Sequence, residues 1–188
     1  MRRRFEYKRK GLAIKERKRP IKLVSGSQSG VDRAVLYVAI ERGVAYGGWC
    51  PKGGWAEDFH QPPGLLAKYP ELKETPLADP AQRTAWNLRD ADACMILVDA
   101  GGLSASRGTA LAHDLARDLA ERCGKPLLVV DPREPDAVPR AIAWLVRQRA
   151  AFGSILRLAI GGPRESEAPG IYRRAAAFVR GLLSEYPP

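Results

Sequence analysis

Short apolar runs alternate with longer segments of helical periodicity along most of the chain. Strands are predicted at residues 21–24, 44–49, 93–98, 126–130 and 155–160. Helices are predicted at about residues 31–42, 81–89, 108–122, 136–149 and 171–184. The runs at 93–98 and 126–130 are apolar throughout, which is typical of strands buried on both faces of a sheet. Such alternation implies βαβ units, so we expect an α/β, Rossmann-like three-layer sandwich with a mainly parallel sheet.

Charge divides the chain into two parts. Residues 1–20 hold ten Lys or Arg and two Glu, so eight of the ten net positive charges lie in this segment. We therefore predict a basic N-terminal arm at residues 1–20 and one nearly neutral domain at residues 21–188. The arm has the charge to bind a nucleic-acid backbone, but basic arms are more often solvated, and nucleic acid is retained only as an alternative partner.

The remaining composition limits location and metal chemistry. No apolar run approaches the ~20 residues that span a bilayer, and Met1 is followed by arginines, so we expect a cytoplasmic protein without a membrane partner. The three cysteines form no CxxC pair, and His60 and His113 are isolated, so neither a disulfide framework nor a protein-bound metal site is predicted.

Three glycine-bearing loops follow predicted core strands, at residues 25–30, 101–109 and 161–166. In parallel sheets ligands bind beyond the carboxyl ends of the strands, so these loops are candidates for one shared site. In the first loop, the glycines and the amides of the next helix favour the binding of a phosphate. The alternative is that the glycines only make a tight turn and that Ser29 caps the helix. Asp32 suits the helix dipole but would repel phosphate, so it is a candidate acceptor for a base or ribose. The turn is neither a P-loop nor GxGxxG.

The other loops offer further polar groups. Ser106, Gly108 and Thr109 supply hydroxyls and helix-terminal amides for a second anionic group, unless this is simply an exposed serine-rich loop. Residues 51–80 are rich in Gly and Pro and are predicted to be a long functional loop. Trp49 just before this loop, Trp55 within it and Trp86 in the next helix are candidates for stacking on a planar ring or for the core.

Several of these motifs resemble those of a known family. The segment SGSQSGVDRA at residues 25–34 resembles the GGQTGVDRA signature of the molybdenum carrier family, also described as circularly permuted YpsA-like proteins. Further matches are GGWCPKG at 47–53, AED at 56–58, QRT at 82–84, WN at 86–87, RD at 89–90, SRGT at 106–109 and GPRES at 162–166. The resemblance covers about residues 21–185, and Ser25 and Ser27 stand where glycines are usual.

The resemblance implies a Rossmann-like fold, a homo-oligomer and a phosphorylated small molecule as partner. That ligand is the molybdenum cofactor, which is a phosphorylated pterin, or a related nucleotide-like molecule. The ligand-binding residues predicted from the loops and the resemblance are Gly26, Ser27, Gln28, Ser29, Gly30, Asp32, Arg33, Lys52, Glu57, Asp58, Asn87, Ser106, Gly108, Thr109, Gly162, Arg164, Glu165 and Ser166.

One position bears on catalysis. LOG phosphoribohydrolases carry a motif similar to PGGxGTxxE, in which the glutamate assists cleavage of the N-glycosidic bond. In this sequence Ala112 stands at the position of that glutamate. Asp114 and Glu165 are candidates to replace the missing carboxylate. Because alanine cannot move a proton, we nevertheless favour binding over catalysis. The alternative is a nucleotide-processing enzyme of the phosphoribohydrolase type.

Overall fold

The computed structural model describes residues 21–152 and 155–185, so the predicted basic arm lies outside the described residues. The strands are β1 Ile21–Val24, β2 Ala45–Cys50, β3 Leu72–Glu74, β4 Ala93–Leu97, β5 Leu127–Val130 and β6 Leu156–Gly161. The α-helices are α1 Val31–Glu41, α2 Leu65–Lys68, α3 Pro80–Asp90, α4 Arg107–Cys123, α5 Ala137–Ala151 and α6 Ile171–Glu185. Short 3₁₀ turns lie at Lys52–Gly54 and Gly102–Ala105.

All six strands are parallel and lie in the order β3-β2-β1-β6-β4-β5. Successive residues of β4 point to opposite faces: Met95 packs with α1, α5 and α6, whereas Cys94 packs with α3 and α4. Every residue of β4 is buried, as its apolar run predicts. The expected α/β, Rossmann-like three-layer sandwich is confirmed.

The helices form where the apolar spacing predicts them. In α1, Val31, Ala34, Val35 and Val38 recur at i, i+3, i+4 and i+7 and are fully buried against the sheet and α6. Gly124 ends α4 in the left-handed conformation, with φ 68° and its amide donating to Ala120 O. None of the helices in the described part of the chain is long and apolar enough to cross a membrane.

The prediction of an unstructured loop at residues 51–80 is wrong in its middle part. This segment contains α2 and β3, and β3 extends the sheet by pairing with β2. Leu65, Tyr69 and Leu72 pack with Leu36 and Cys50 in a small core of their own. The strand escaped prediction because it is three residues long and Lys73 and Glu74 are exposed, so no apolar alternation marks it.

The parallel arrangement places the carboxyl ends of all six strands at one edge of the sheet. The loops that follow β1, β6 and β4, which are neighbouring strands, therefore meet at that edge. The segments that follow β2 and β3 lie farther along the same edge.

Candidate functional site

A cleft with a cavity volume of about 90 Å³ lies beyond the carboxyl ends of β1 and β6. The three glycine-bearing loops and α3 meet there, as their positions after neighbouring strands predict. The polar and glycine residues that line the cleft are Ser25, Gly26, Gln28, Asp32, Arg83, Thr84, Asn87, Ser106, Gly108, Thr109, Gly161, Gly162, Arg164 and Glu167. The sheet edge thus supplies backbone, hydroxyl and guanidinium groups to one small space.

Arg83 of α3 reaches across the cleft to the turn after β1. Its Nη1 donates to Asp32 Oδ2 at 3.0 Å. The same atom lies so close to Gly26 that a Cβ there would be 1.7 Å away. Only a residue without a side chain at position 26 therefore allows Arg83 to occupy this place.

Asp32 is held inside the turn rather than facing solvent. Its side chain is 5% exposed and accepts from the Gln28 amide at 3.4 Å as well as from Arg83. Burial raises the pKa of Asp32 above its ordinary value, and Arg83, the Gln28 amide and Arg33 oppose that shift. Asp32 therefore orients Arg83, and its carboxylate is engaged within the protein.

The N-terminus of α4 presents a hydroxyl without a partner. Ser106 caps this helix, because its Oγ accepts from the Thr109 amide at 3.1 Å. Thr109 is 1% exposed, and its Oγ1 has no hydrogen-bond partner among the described residues. A buried unpartnered hydroxyl is costly, and in a cleft wall it is a group to which a ligand can bind.

Arg164 brings a second guanidinium to the cleft wall. Its backbone amide donates to Glu167 Oε2 at 3.0 Å, which fixes the loop after β6. Its side chain makes no hydrogen bond or ion pair with another residue in ranges 21–152 and 155–185, although its charge acts on Glu57. Arg164 is thus available to an anion.

Glu57 fastens the long loop to two of the glycine-bearing loops. Its carboxylate accepts from the hydroxyls of Ser29 and Ser166, the latter at 2.6 Å, and its amide donates to Gln28 Oε1 at 2.8 Å. Burial by itself would raise the pKa of Glu57, but the Ser166 and Ser29 hydrogen bonds and the charge of Arg164 lower it below its ordinary value. Glu57 holds these loops together beside the cleft and does not line it.

Arg33 and Asp58 form a structural ion pair. Both terminal nitrogens of Arg33 lie 2.9 Å from the two carboxylate oxygens of Asp58, and Nη2 also donates to Ser27 O at 3.2 Å. The guanidinium packs over the ring of Phe59 at 4.8 Å from its centroid. Neither residue lines the cleft, so their charges stabilise the turn from outside it.

The start of α1 differs from the expected anion cradle. The Val31 amide donates to Pro163 O at 3.1 Å and is therefore not open to a ligand. Gly30 has φ 70°, and a Cβ there would lie 2.4 Å from Pro163 O, so this glycine allows two loop backbones to touch. Ser27 has φ 65° and a buried Oγ without a partner in the part of the chain that the structure describes, and it does not line the cleft.

Comparisons with known proteins identify the family. A family model described as the Circularly permutated YpsA SLOG family matches residues 23–183. The chain belongs to this family. It is also similar to the 1.45 Å crystal structure of a protein named "Putative molybdenum carrier protein" from Syntrophus aciditrophicus SB. The identity is 35%, 88% of this chain and 97% of that chain are covered, and the TM-score is 0.74. No curated protein matches the chain.

In this member of the family, half of the predicted ligand-binding residues line the cleft. These are Gly26, Gln28, Asp32, Asn87, Ser106, Gly108, Thr109, Gly162 and Arg164. The others surround it: Ser27, Ser29, Gly30, Arg33, Glu57, Asp58 and Ser166 support the loops. Glu165 caps α6 by accepting from the Gly170 and Tyr172 amides, and Lys52 lines a second cavity on the same edge.

Asn87 lines the cleft, but its amide is already paired. Its Oδ1 accepts from the Trp49 amide at 2.7 Å, and its Nδ2 donates to Trp49 O at 2.9 Å. The Trp49 indole donates to Asp90 at 2.7 Å and packs edge-to-face on Trp86. Neither tryptophan lines the cleft, so neither ring is placed to stack on a ligand inside it.

Sequence reasoning missed Arg83, Thr84 and Glu167 as cleft residues. The QRT match at residues 82–84 was a signal for the first two, because α3 packs beside the turn after β1. No sequence motif singled out Glu167. Within the described ranges no group of three or more His, Cys, Asp or Glu side chains is arranged to hold a metal ion.

Proposed function

We propose that this chain binds and carries a phosphorylated small molecule, with the phosphate in the cleft. The single observation that carries the proposal is the Thr109 hydroxyl. It is buried in the wall of that cleft at the N-terminus of α4 and has no hydrogen-bond partner among the residues that the structure describes. The N-terminus of a helix attracts anions, because its first amides have no partner within the helix and its dipole is positive there.

Two guanidinium groups support a phosphate as the anion. Arg83 keeps donors in addition to the one that binds Asp32, and Arg164 makes no hydrogen bond to another described side chain. Guanidinium groups match phosphate oxygens in geometry and charge. Gly26 leaves the space that the Arg83 guanidinium occupies at the wall of the cleft.

The molybdenum cofactor, a pterin that bears a phosphate, is the ligand we propose first, with a nucleotide-like ligand as the related choice. The structural relative is named a molybdenum carrier, and the cleft fits the phosphate end of such a molecule. At about 90 Å³ the cleft is smaller than the roughly 300 Å³ or more of typical sites for whole ligands, so the ring would lie outside it. The cofactor is cargo in this proposal, and the protein binds it through its phosphate.

Binding is favoured over glycosidic cleavage by the positions of the carboxylates. Ala112 lines the cleft, and both carboxylate oxygens of Glu165 are engaged at the start of α6. Asp114 is largely exposed on α4, beside His113. Neither of these two carboxylates is offered to a sugar in the cleft. The two that line the cleft are engaged in the protein, because Asp32 accepts from Arg83 and Glu167 accepts from the Arg164 amide.

Direct binding experiments test the proposal. Native mass spectrometry and isothermal titration calorimetry would use the molybdenum cofactor, guanosine monophosphate (GMP) and inorganic phosphate. We expect binding at micromolar concentration for at least one of the two organic probes, and a loss of tenfold or more in Arg83→Gln and Arg164→Gln. Arg117→Gln on the exposed face of α4 is the control.

Absence of binding by both organic probes would contradict the proposal. The same mixtures should be examined for free guanine by chromatography. Its release from GMP would identify the chain as a phosphoribohydrolase and would replace the carrier proposal.

A further inference from the structure

A second cavity, of about 420 Å³, lies beside the cleft and has a different lining. Its walls come from the segment after β2 and from the segment between β3 and α3. The residues that line it are Lys52, Gly53, Trp55, His60, Pro62, Ala78 and Pro80. We call this cavity the Trp55 pocket.

The Trp55 pocket and the cleft lie on the same edge of the sheet. The pocket follows the carboxyl ends of β2 and β3, and the cleft follows those of β1 and β6, which are next in the strand order. Pro80, the first residue of α3, lines both cavities. One molecule that extends around the start of α3 would therefore contact both.

The pocket presents flat, largely apolar surfaces. Four of its lining residues, Trp55, His60, Pro62 and Pro80, carry ring side chains, and Lys52 is the charged residue of the lining. An indole face is a stacking surface for a planar heterocycle, because dispersion and the ring quadrupole both favour offset stacking. Lys52 adds a donor for a ring carbonyl or nitrogen.

Trp55 is the tryptophan outside the core that has no ring or hydrogen-bond partner within the described residues. The indole of Trp49 donates to Asp90 and contacts Trp86, and Trp86 is also covered by the guanidinium of Arg89. Trp144 is 7% exposed in the main core. Trp55 is half-buried, and no hydrogen bond or ring contact from residues 21–152 or 155–185 engages its indole, so ring and N–H are open to a ligand.

Size distinguishes the two cavities. About 90 Å³ accommodates a phosphate or a few waters, whereas about 420 Å³ falls within the range of sites that bind ring systems. A phosphorylated ligand whose ring does not fit the cleft needs such a space on the same sheet edge.

We propose that the Trp55 pocket binds a planar bicyclic heterocycle, a pterin or purine, of the molecule whose phosphate lies in the cleft. This inference rests on the proposed function and identifies where the ring half of the ligand is bound. It makes Trp55 the stacking residue, Lys52 a polar contact and Pro80 the boundary between the two subsites.

Titration of three probes into Trp55 variants tests the proposal. The probes are GMP, the molybdenum cofactor and inorganic phosphate. In Trp55→Ala we expect the Kd of the organic probe that binds to rise about fivefold or more, which is the smallest effect expected from losing the stack on one aromatic ring. The Kd of inorganic phosphate should stay within twofold, since phosphate alone does not reach the pocket.

Two further variants separate ring contact from loss of folding. Trp55→Phe keeps an aromatic surface, so binding should fall only slightly while the quenching of tryptophan fluorescence by the ligand disappears. Trp86→Phe, which removes an indole outside both cavities, should keep both the affinity and the quenching. Thermal unfolding of each variant verifies that it is folded.

The outcomes distinguish a failure of this inference from a failure of the proposed function. Failure of the wild-type chain to bind GMP and the cofactor contradicts the proposed function and this inference together. Binding that is unchanged in Trp55→Ala, with quenching retained in Trp55→Phe, contradicts only the Trp55 pocket and leaves phosphate binding in the cleft.

Discussion

The guanidinium of Arg83 lies 3.0 Å from Asp32 and directly over the backbone of Gly26. The arginine comes from α3, and the other two residues come from the turn after β1 and the start of α1. A buried carboxylate, a cation and a position without a side chain thus form one unit at the wall of the cleft. Asp32 orients the Arg83 guanidinium for a ligand, and the same ion pair fixes the turn.

Gly26→Ala and Gly30→Ala are expected to differ in effect. At position 26 the new Cβ meets the end of the flexible Arg83 side chain, which can move, and lies 2.9 Å from Asp32 Oδ2, so we expect a loss of about 1–2 kcal/mol in unfolding free energy. At position 30 the Cβ meets the backbone of Pro163 and Arg164 at φ 70°, so we expect a loss of about 3 kcal/mol. Urea unfolding measures both.

Phosphate affinity separates the two glycines further. Gly26→Ala displaces Arg83, so its Kd for inorganic phosphate should rise at least tenfold although the protein stays folded. Equal stability of the two variants would contradict the close backbone contact at Gly30.

Thr109→Val tests the unpartnered hydroxyl. Valine has the same shape and removes a buried group that has no hydrogen bond, so the unfolding free energy should be unchanged or rise by up to about 1 kcal/mol. The Kd for inorganic phosphate should rise about fivefold or more, the equivalent of one hydrogen bond of about 1 kcal/mol.

Thr75→Val is the matched control for that substitution. The Thr75 hydroxyl is also buried, but it donates to Leu77 O at 2.9 Å and lies 3.2 Å from Cys50 O. Its loss should lower the unfolding free energy by about 1–2 kcal/mol without changing phosphate affinity. A large destabilisation in Thr109→Val would show that its hydroxyl has a partner in solution.

The sequence predicted the fold and the meeting of the three loops, because both follow from periodicity and parallel topology. The runs that became β1, β4, β5 and β6 are apolar enough to mark buried strands, whereas β3 carries one buried residue and left no such signal. Which motif residues face the cleft depends on the direction of their side chains. Arg33 and Glu57 belong to matched motifs, yet they point to Asp58, Ser29 and Ser166 instead of the cleft, and residue types in a motif do not specify that.

Glu57→Gln is expected to lose stability in a pH-dependent way. The pKa of Glu57 in the folded protein lies below its ordinary value of 4.5, so its contribution is present above that pH and is lost as the pH falls through the folded-state pKa. At pH 7 the variant should be less stable by about 1 kcal/mol, because a neutral amide replaces a charged acceptor of two hydroxyls. Urea unfolding from pH 3 to pH 7 should show this difference shrink toward the acidic end.

Asp32→Asn is expected to show the opposite pH dependence. Burial raises the pKa of Asp32 in the folded state above 3.8, so between the two pKa values the folded protein binds more protons than the unfolded chain. The unfolding free energy contributed by Asp32 therefore decreases as the pH rises through this window and is constant above it. Asparagine has no such titration.

Subtracting the variant's unfolding free energy from that of the wild type, at each pH from 3 upward, isolates this effect. We expect the difference to fall with rising pH and then to level off. A difference that rises instead would mean that the charge of Arg83 outweighs the burial of Asp32. In that case Asp32 and Arg83 would be a permanent ion pair, and Arg83 would have less charge to offer a phosphate.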